Sequence, residues 1–210
     1  MVRILIADDH PIVRQGLKQI LSEEPDVTTV GEAQNSWEVL ELVKKEPWDI
    51  AILDITMPGR GGLDVLKDLR REYPKLPVLV LSMHPEDQYA IRVLKAGASG
   101  YLTKGSAPEE LVKAIRKILN GGKYVSDALA EKMAFYLGVE TEKPLHERLS
   151  DREYEVMIMI ASGKTATEIA EGMSLSVKTI STYRSRILQK MKMTNNAELT
   201  HYAIKNGLTD

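Results

Sequence analysis

Through the first 125 residues, short apolar runs alternate with stretches of helical periodicity. No other feature of the 210-residue chain constrains its fold as much. Val2–Ala7, Val27–Glu32, Ile50–Asp54, Val78–Ser82 and Gly100–Thr103 are aliphatic or β-branched runs that end in polar or small residues. Between them Leu17, Ile20 and Leu21, then Val39, Leu40 and Val43, then Leu63, Leu66 and Leu69 recur at the spacing of one helix face. Ala90, Val93 and Leu94, and Leu111, Ile115 and Ile118, continue the pattern. Glu24–Pro25, Glu46–Pro47, Pro58–Gly59, Tyr73–Pro74 and Gly121–Gly122 punctuate the joins. Repeated β-α units predict an α/β fold, a doubly wound five-stranded parallel sheet with helices on both faces. The unbroken apolar character of Ile50–Leu53 and Val78–Leu81 fits central strands covered on both sides.

Strand ends are where such sheets bind ligands, at the point where the strand order reverses. The first run ends at Asp8–Asp9, the third at Asp54 and the fourth at Ser82, and Lys104 follows the fifth. Taken singly, each has an ordinary explanation: a helix cap, a turn carboxylate, a surface lysine. Together they place three carboxylates, a hydroxyl and an ammonium on one edge. Clustered carboxylates repel one another unless a cation neutralises them, and oxygen ligands suit Mg²⁺. A carboxylate beside that metal can attack a phosphoryl group, with Ser82 and Lys104 holding its oxygens.

A different pattern begins after residue 121. Ser126–Leu137 reads as an amphipathic helix, and the acidic, proline-containing stretch 138–144 reads as a linker. Ser150 followed by Glu153, and Thr165 followed by Glu168, are capping-box signatures ahead of two helices. Ser176 caps a third helix running to about Met191, and Asn195 or Asn196 opens a fourth. Helix, tight turn and longer helix form a helix-turn-helix pattern, so a small all-α four-helix domain is expected. The expected boundaries are 1–121, a linker with a helix over 122–148, and 149–210.

The net charge of −2 argues against a nucleic-acid partner when it is read as a total. Residues 178–192 reverse that reading, because Lys178, Arg184, Arg186, Lys190 and Lys192 stand there without a single acid. Ile180, Ile187 and Met191 mark an inward stripe, while Ser181, Thr182 and Ser185 fall on another face. Small hydrogen-bonding residues at the centre of a basic helix suit base-edge readout flanked by phosphate contacts. The chain has no cysteine, which removes disulfides and thiol chemistry. No apolar run reaches the roughly 18 residues of a membrane span, and the start MVRILIADDH has no leader pattern. A cytoplasmic location without membrane contact is expected. Trp37, Trp48 and Phe135 stand among helix-period residues and read as packing.

ILIADDH, AILDITMPGRGGLDVL, VLVLSMH and GASGYLTK resemble the receiver domain of two-component response regulators over residues 1 to about 120. The resemblance implies that Asp54 is the phosphoacceptor. It implies Mg²⁺ held by Asp9, Asp54 and the Thr56 backbone carbonyl, with Asp8 acting through water. Ser82 and Tyr101 take the places of the switch pair, and Lys104 that of the phosphate partner. Gly105 stands where proline is common after the lysine, and Met83 where alanine often follows the switch hydroxyl. LSDREYEVMIMIASGKTATEIAEGMSLSVKTISTYRSRILQKMKM, residues 149–193, resembles the LuxR-type output domain, which would extend to about 207. That match implies DNA contacts by Lys178, Thr179, Ser181, Thr182, Tyr183, Ser185, Arg186 and Lys190, with Tyr183 where many members carry histidine.

Together the two parts resemble the NarL/FixJ organisation: a transcription factor phosphorylated by a sensor histidine kinase that dimerises and binds a promoter operator. An enzyme reading is disfavoured. Dehalogenase-type phosphatases carry a second acid two residues after the nucleophile, and Thr56 stands at that position. No catalytic residue is therefore expected. A regulator acting through protein contacts without phosphorylation would not need the full acidic set.

Overall fold

The computed structural model describes residues 1–57, 61–138 and 144–209, apart from the side chains of 87, 88, 132 and 134–138. The turn at Pro58–Gly59, most of the 138–144 linker and the side chain of Phe135 lie outside the described residues. The chain divides into two compact units, Met1–Met133 and Ala134–Asp210.

The first unit alternates β1 (Val2–Ala7), α1 (Pro11–Ser22), β2 (Val27–Ala33), α2 (Ser36–Lys45), β3 (Ile50–Asp54), α3 (Gly62–Glu72), β4 (Val78–Ser82), α4 (Glu86–Lys95), β5 (Gly100–Thr103) and α5 (Ala107–Leu119). The strands form one parallel sheet in the order β2-β1-β3-β4-β5. Alternation along the strands splits the core in two. Ile4, Ile6, Ile50, Ile52, Leu79 and Leu81 pack with Leu17 and Leu21 of α1 and with Leu111, Ile115 and Ile118 of α5. The intervening residues, among them Leu5, Leu53 and Val80, are equally buried on the face that α2, α3 and α4 cover.

Two glycines are fixed by close approach rather than by backbone freedom. A Cβ on Gly31 of β2 would lie 2.3 Å from the Trp48 ring. That indole is buried, and its Nε1–H donates to the Leu42 carbonyl at 3.1 Å. A Cβ on Gly62 would lie 2.2 Å from the carbonyl oxygen of Asp54, so α3 starts hard against the end of β3. Trp37 departs from the packing role expected of it. It sits in the first turn of α2 and is 70% exposed.

After α5 the chain runs back along the sheet. Tyr124 N–H donates to the Ser99 carbonyl at 2.9 Å, and Tyr101 N–H donates to the Tyr124 carbonyl at 3.1 Å. Ser126, just ahead of α6 (Asp127–Gly138), is held by the Glu86 carboxylate and caps the Leu129 amide.

The second unit contains a 3₁₀ turn over Leu145–Arg148, then α7 (Asp151–Ala161), α8 (Ala166–Gly172), α9 (Val177–Met191) and α10 (Asn196–Lys205). Both capping boxes form, Ser150 with Glu153 and Thr165 with Glu168, and Ser176 and Asn195 cap α9 and α10. Ile180, Ile187 and Met191 of α9 are buried. In the turn between α8 and α9 the left-handed residue is Ser174, at φ 54°, and not a glycine.

Glu153 does more than cap. Its Oε2 accepts from Ser150 N–H at 2.7 Å and from Lys190 Nζ at 2.6 Å, so one buried carboxylate joins α7 to α9. Burial alone would push this carboxyl up, but the Lys190 and Ser150 hydrogen bonds outweigh it and hold it below the ordinary glutamate range.

Two outcomes follow for stability. Gly62→Ala should destabilise the first unit by about 1–3 kcal/mol, read as a shifted urea midpoint by tryptophan fluorescence. An unchanged midpoint would show that the β3–α3 join has room. A carboxyl whose folded pKa is lowered stabilises above its unfolded pKa, and that contribution is lost as pH falls through the folded value. Amide protection factors in α7 and α9, taken relative to the intrinsic exchange rate at each pH, should therefore fall as pH drops below the ordinary glutamate range in the wild type. Glu153→Gln should flatten that dependence and cost about 1–3 kcal/mol at neutral pH.

Candidate functional site

The strand order reverses between β1 and β3, and the side chains expected at the carboxyl edge meet there. Asp54 is the last residue of β3 and is 1% exposed. Its Oδ1 accepts from Thr56 N–H at 2.8 Å, and its Oδ2 from Lys104 Nζ at 2.7 Å. The same ammonium stands 2.7 Å from Oδ2 of buried Asp8. Asp8 Oδ1 accepts from His10 N–H at 2.8 Å, and the His10 ring Nδ1 lies 2.9 Å from Oδ1 of Asp9. The His10 ring is more than half exposed, at the start of α1, yet within reach of the carboxylates.

Charge dominates the chemistry of this cluster. Burial pushes the Asp54 carboxyl up. The Lys104 and Thr56 hydrogen bonds oppose that rise, and the Asp8 charge reinforces it, so the group ends above the ordinary aspartate range. Burial disfavours the Lys104 ammonium, but its bonds to Asp54 and Asp8 outweigh that and hold it protonated. One lysine thus meets two of the three clustered carboxylates, Asp8 and Asp54.

A divalent cation fits what is left over. One oxygen from each of Asp8, Asp9 and Asp54 and a ring nitrogen of His10 lie within 4.8 Å of one another. Asp8 Oδ2 and Asp9 Oδ1 are buried, and their contacts are the Lys104 ammonium, which Asp8 shares with Asp54, and the His10 ring, so each keeps lone-pair capacity for a cation. Unspent carboxylate oxygens and a negative balance are what a hard cation requires.

Ser82 closes β4 fully buried. Its Oγ accepts from His84 N–H at 3.1 Å, and its carbonyl accepts from Lys104 N–H at 2.7 Å. Tyr101 is 1% exposed, and its hydroxyl donates to the His84 carbonyl at 2.8 Å. Met83 stands between these contacts and is 70% exposed.

One further residue, with no motif of its own, supports this site. Arg14 lies on the buried face of α1 in line with Leu17 and Leu21, and its Nη1 donates to the Asp8 carbonyl at 2.7 Å. A charged residue inside an apolar helical stripe is the signal that would have found it.

In the second unit, α9 turns Lys178, Ser181, Thr182, Ser185, Arg186 and Lys190 outward, while Thr179 and Tyr183 are half-buried. The Ser181, Thr182 and Ser185 hydroxyls donate to the carbonyls four residues back, each at 3.0 Å. Their acceptor lone pairs remain for an outside donor. Arg184 is drawn sideways, its Nε donating to Asn196 Oδ1 at 2.6 Å.

Residues 4–116 match the profile of the response regulator receiver domain, and residues 147–203 that of the bacterial regulatory proteins of the luxR family. The chain is 37% identical over 210 residues to the response regulator UvrY of Escherichia coli, covering 99% of this chain and 96% of that protein. It is 35% identical over 212 residues to the response regulator GacA of Pseudomonas aeruginosa, covering 100% and 99%. It resembles a solved structure of the RcsB response regulator of Salmonella typhimurium, with a TM-score of 0.72 at 30% identity over 100% of this chain and 98% of that one. A structure of RcsB from Salmonella enterica serovar Typhimurium bound to promoter rprA in the presence of phosphomimetic BeF3- gives 0.66 at 30% identity, over 96% and 98%. Those matches span both units, and the chain belongs to the response regulator family, a receiver domain followed by a LuxR-type helix-turn-helix domain in the NarL/FixJ organisation.

Proposed function

We propose that this chain is a cytoplasmic transcription factor switched by Mg²⁺-dependent phosphorylation of Asp54, with a sensor histidine kinase as donor. The observation that carries the reading is the buried Asp8–Asp54–Lys104 cluster at the sheet edge, joined in one chain to an exposed basic helix. The receiver runs over 1–121, the linking segment over 122–148 and the output domain over 149–210.

An Asp54 carboxylate oxygen forms the O–P bond as the P–N bond to the donor imidazole breaks, and the ring nitrogen keeps the electron pair and takes up a proton. Asp9, Asp54 and the Thr56 carbonyl would hold the metal, with Asp8 acting through water, and a divalent cation held there would supply charge neutralisation for the phosphoryl oxygens. Lys104 already touches Asp54 and turns to the new anion, and Ser82 meets it by releasing the His84 amide. Tyr101 occupies an inward position with its hydroxyl on the His84 carbonyl, and phosphorylation favours that arrangement. Two receivers then pair and bring two α9 helices to half-sites about one turn of DNA apart.

On each half-site, Ser181, Thr182 and Ser185 offer hydroxyl lone pairs to base N–H groups. Lys178, Thr179, Tyr183, Arg186 and Lys190 contact the backbone. Lys190 spends one N–H on Glu153 and keeps two for phosphate.

Acetyl phosphate with Mg²⁺ should label the wild-type chain, and Asp54→Asn should take up no label. Label retained by Asp54→Asn would make another residue the acceptor. Binding to a duplex selected from a random pool should weaken steeply with salt. If each monomer neutralises about four phosphates, log K falls against log[salt] with a slope of about −3.6 per monomer. A flat dependence would remove the basic helix from the interface.

A further inference from the structure

Arg14 is a charged side chain in a place that normally rejects one. It is 6% exposed on the inner stripe of α1, between the sheet and the helix. Its guanidinium is spent on two groups. Nη1 donates to the main-chain carbonyl of Asp8 at 2.7 Å, a bond buried from solvent, and Nε donates to Glu32 Oε2 at 3.2 Å. Glu32 lies near the end of β2, paired in register with Ile6 of β1. Its other oxygen accepts from Lys18, one turn further along α1, at 2.5 Å. The Lys18 hydrogen bond and the Arg14 contacts hold Glu32 below the ordinary glutamate range, so the Arg14 charge is balanced in place.

The two peptide units flanking the Asp8 α-carbon are thereby both held. The Asp8 N–H donates to the Ala33 carbonyl at 3.1 Å, and its C=O is held by Arg14. That C=O belongs to the peptide linking Asp8 to Asp9, so fixing it fixes where both carboxylates emerge from β1. A planar fork is suited to this task, because one guanidinium satisfies a carbonyl and a carboxylate at set angles. We infer that Arg14 is a positioning residue for the metal site: through the Asp8 carbonyl it orients the Asp8–Asp9 pair to receive Mg²⁺, with Glu32 neutralising its charge. The inference rests on the metal-dependent reading above and adds to it a residue that touches neither metal nor phosphoryl group.

The sign of the effect separates positioning from simple electrostatics. If Arg14 acted on the site only as a positive charge, removing it would tighten Mg²⁺ binding. If it orients the ligands, removing it weakens binding, and outer partners of metal ligands typically contribute about 10–100-fold.

Mg²⁺ affinity is measured on the full chain by titration calorimetry without any phosphodonor, with thermal melting of each variant alongside. The wild type should bind Mg²⁺, Arg14→Met should bind about 10-fold more weakly or worse, and Arg14→Lys should lie between them. The double variant Arg14→Met/Glu32→Gln should stay weak, because restoring the charge balance does not restore the grip on Asp8. Tightened or unchanged binding in Arg14→Met overturns the inference, and so does recovery in the double variant. Should Arg14→Met fail to fold, Arg14→Lys decides alone, and wild-type affinity in that variant overturns the inference. A wild-type chain that binds no Mg²⁺ defeats the metal reading itself, a distinct result.

Discussion

Lys104 brings one positive charge to a sheet edge where Asp8, Asp9 and Asp54 bring three negative ones, and much of the first unit is arranged around that imbalance. Parallel pairing puts the strand ends on one side, and the order β2-β1-β3-β4-β5 makes β1 and β3 neighbours. Only that adjacency lets Asp8 and Asp54 share a single ammonium. Burial raises the cost of every uncompensated charge, so the carboxylates cannot simply be left as they are. Backbone donors take part of the load: Thr56 N–H on Asp54 and His10 N–H on Asp8. The remainder is a negative potential that suits the edge to a cation.

The regular elements and the strand-end residues were legible because each rests on a local pattern. Apolar runs of strand length, helical spacing, turn dipeptides and capping boxes need no knowledge of the partner across the fold. What stayed hidden depends on contacts between segments far apart in the chain. Glu153 reads as a capping residue from its spacing to Ser150, but its second bond, to Lys190, spans 37 positions. The place of Arg14 in the stripe of Leu17 and Leu21 is a local signal, but its partner Glu32 comes from β2 and has no local signature. Trp37 and Trp48 look alike in sequence. Only the fold distinguishes the indole lying on Gly31 from the one left in solvent. The left-handed conformation at Ser174 follows no local pattern, and Gly172, two residues earlier, closes α8 instead.

Averaging also hid the second unit's chemistry. A net charge of −2 describes the whole chain, yet five basic residues and no acid occupy positions 178–192. The structure adds that these charges are not equivalent. Arg184 is committed to Asn196 and Lys190 is partly committed to Glu153, whereas Lys178 and Arg186 project from exposed positions. The glutamate that neutralises part of Lys190 also caps α7, so the basic face and the helical scaffold beneath it are held by the same carboxylate.

Within the first unit one run of hydrogen bonds leads from the end of β4 toward α4 and α6. Ser82 holds the His84 amide, the His84 carbonyl holds the Tyr101 hydroxyl, and the Tyr101 amide bonds to Tyr124. Two residues beyond His84, Glu86 opens α4 and grips Ser126, the residue that leads into α6. The loop between β4 and α4 is therefore attached at one end to the residue that closes β4 and at the other to the segment entering α6. A side chain as large as Tyr101 cannot leave its buried place without breaking its bond to the His84 carbonyl and opening a void in a close-packed core. Under the proposed phosphorylation switch, that cost would favour discrete arrangements of the loop over a continuous range.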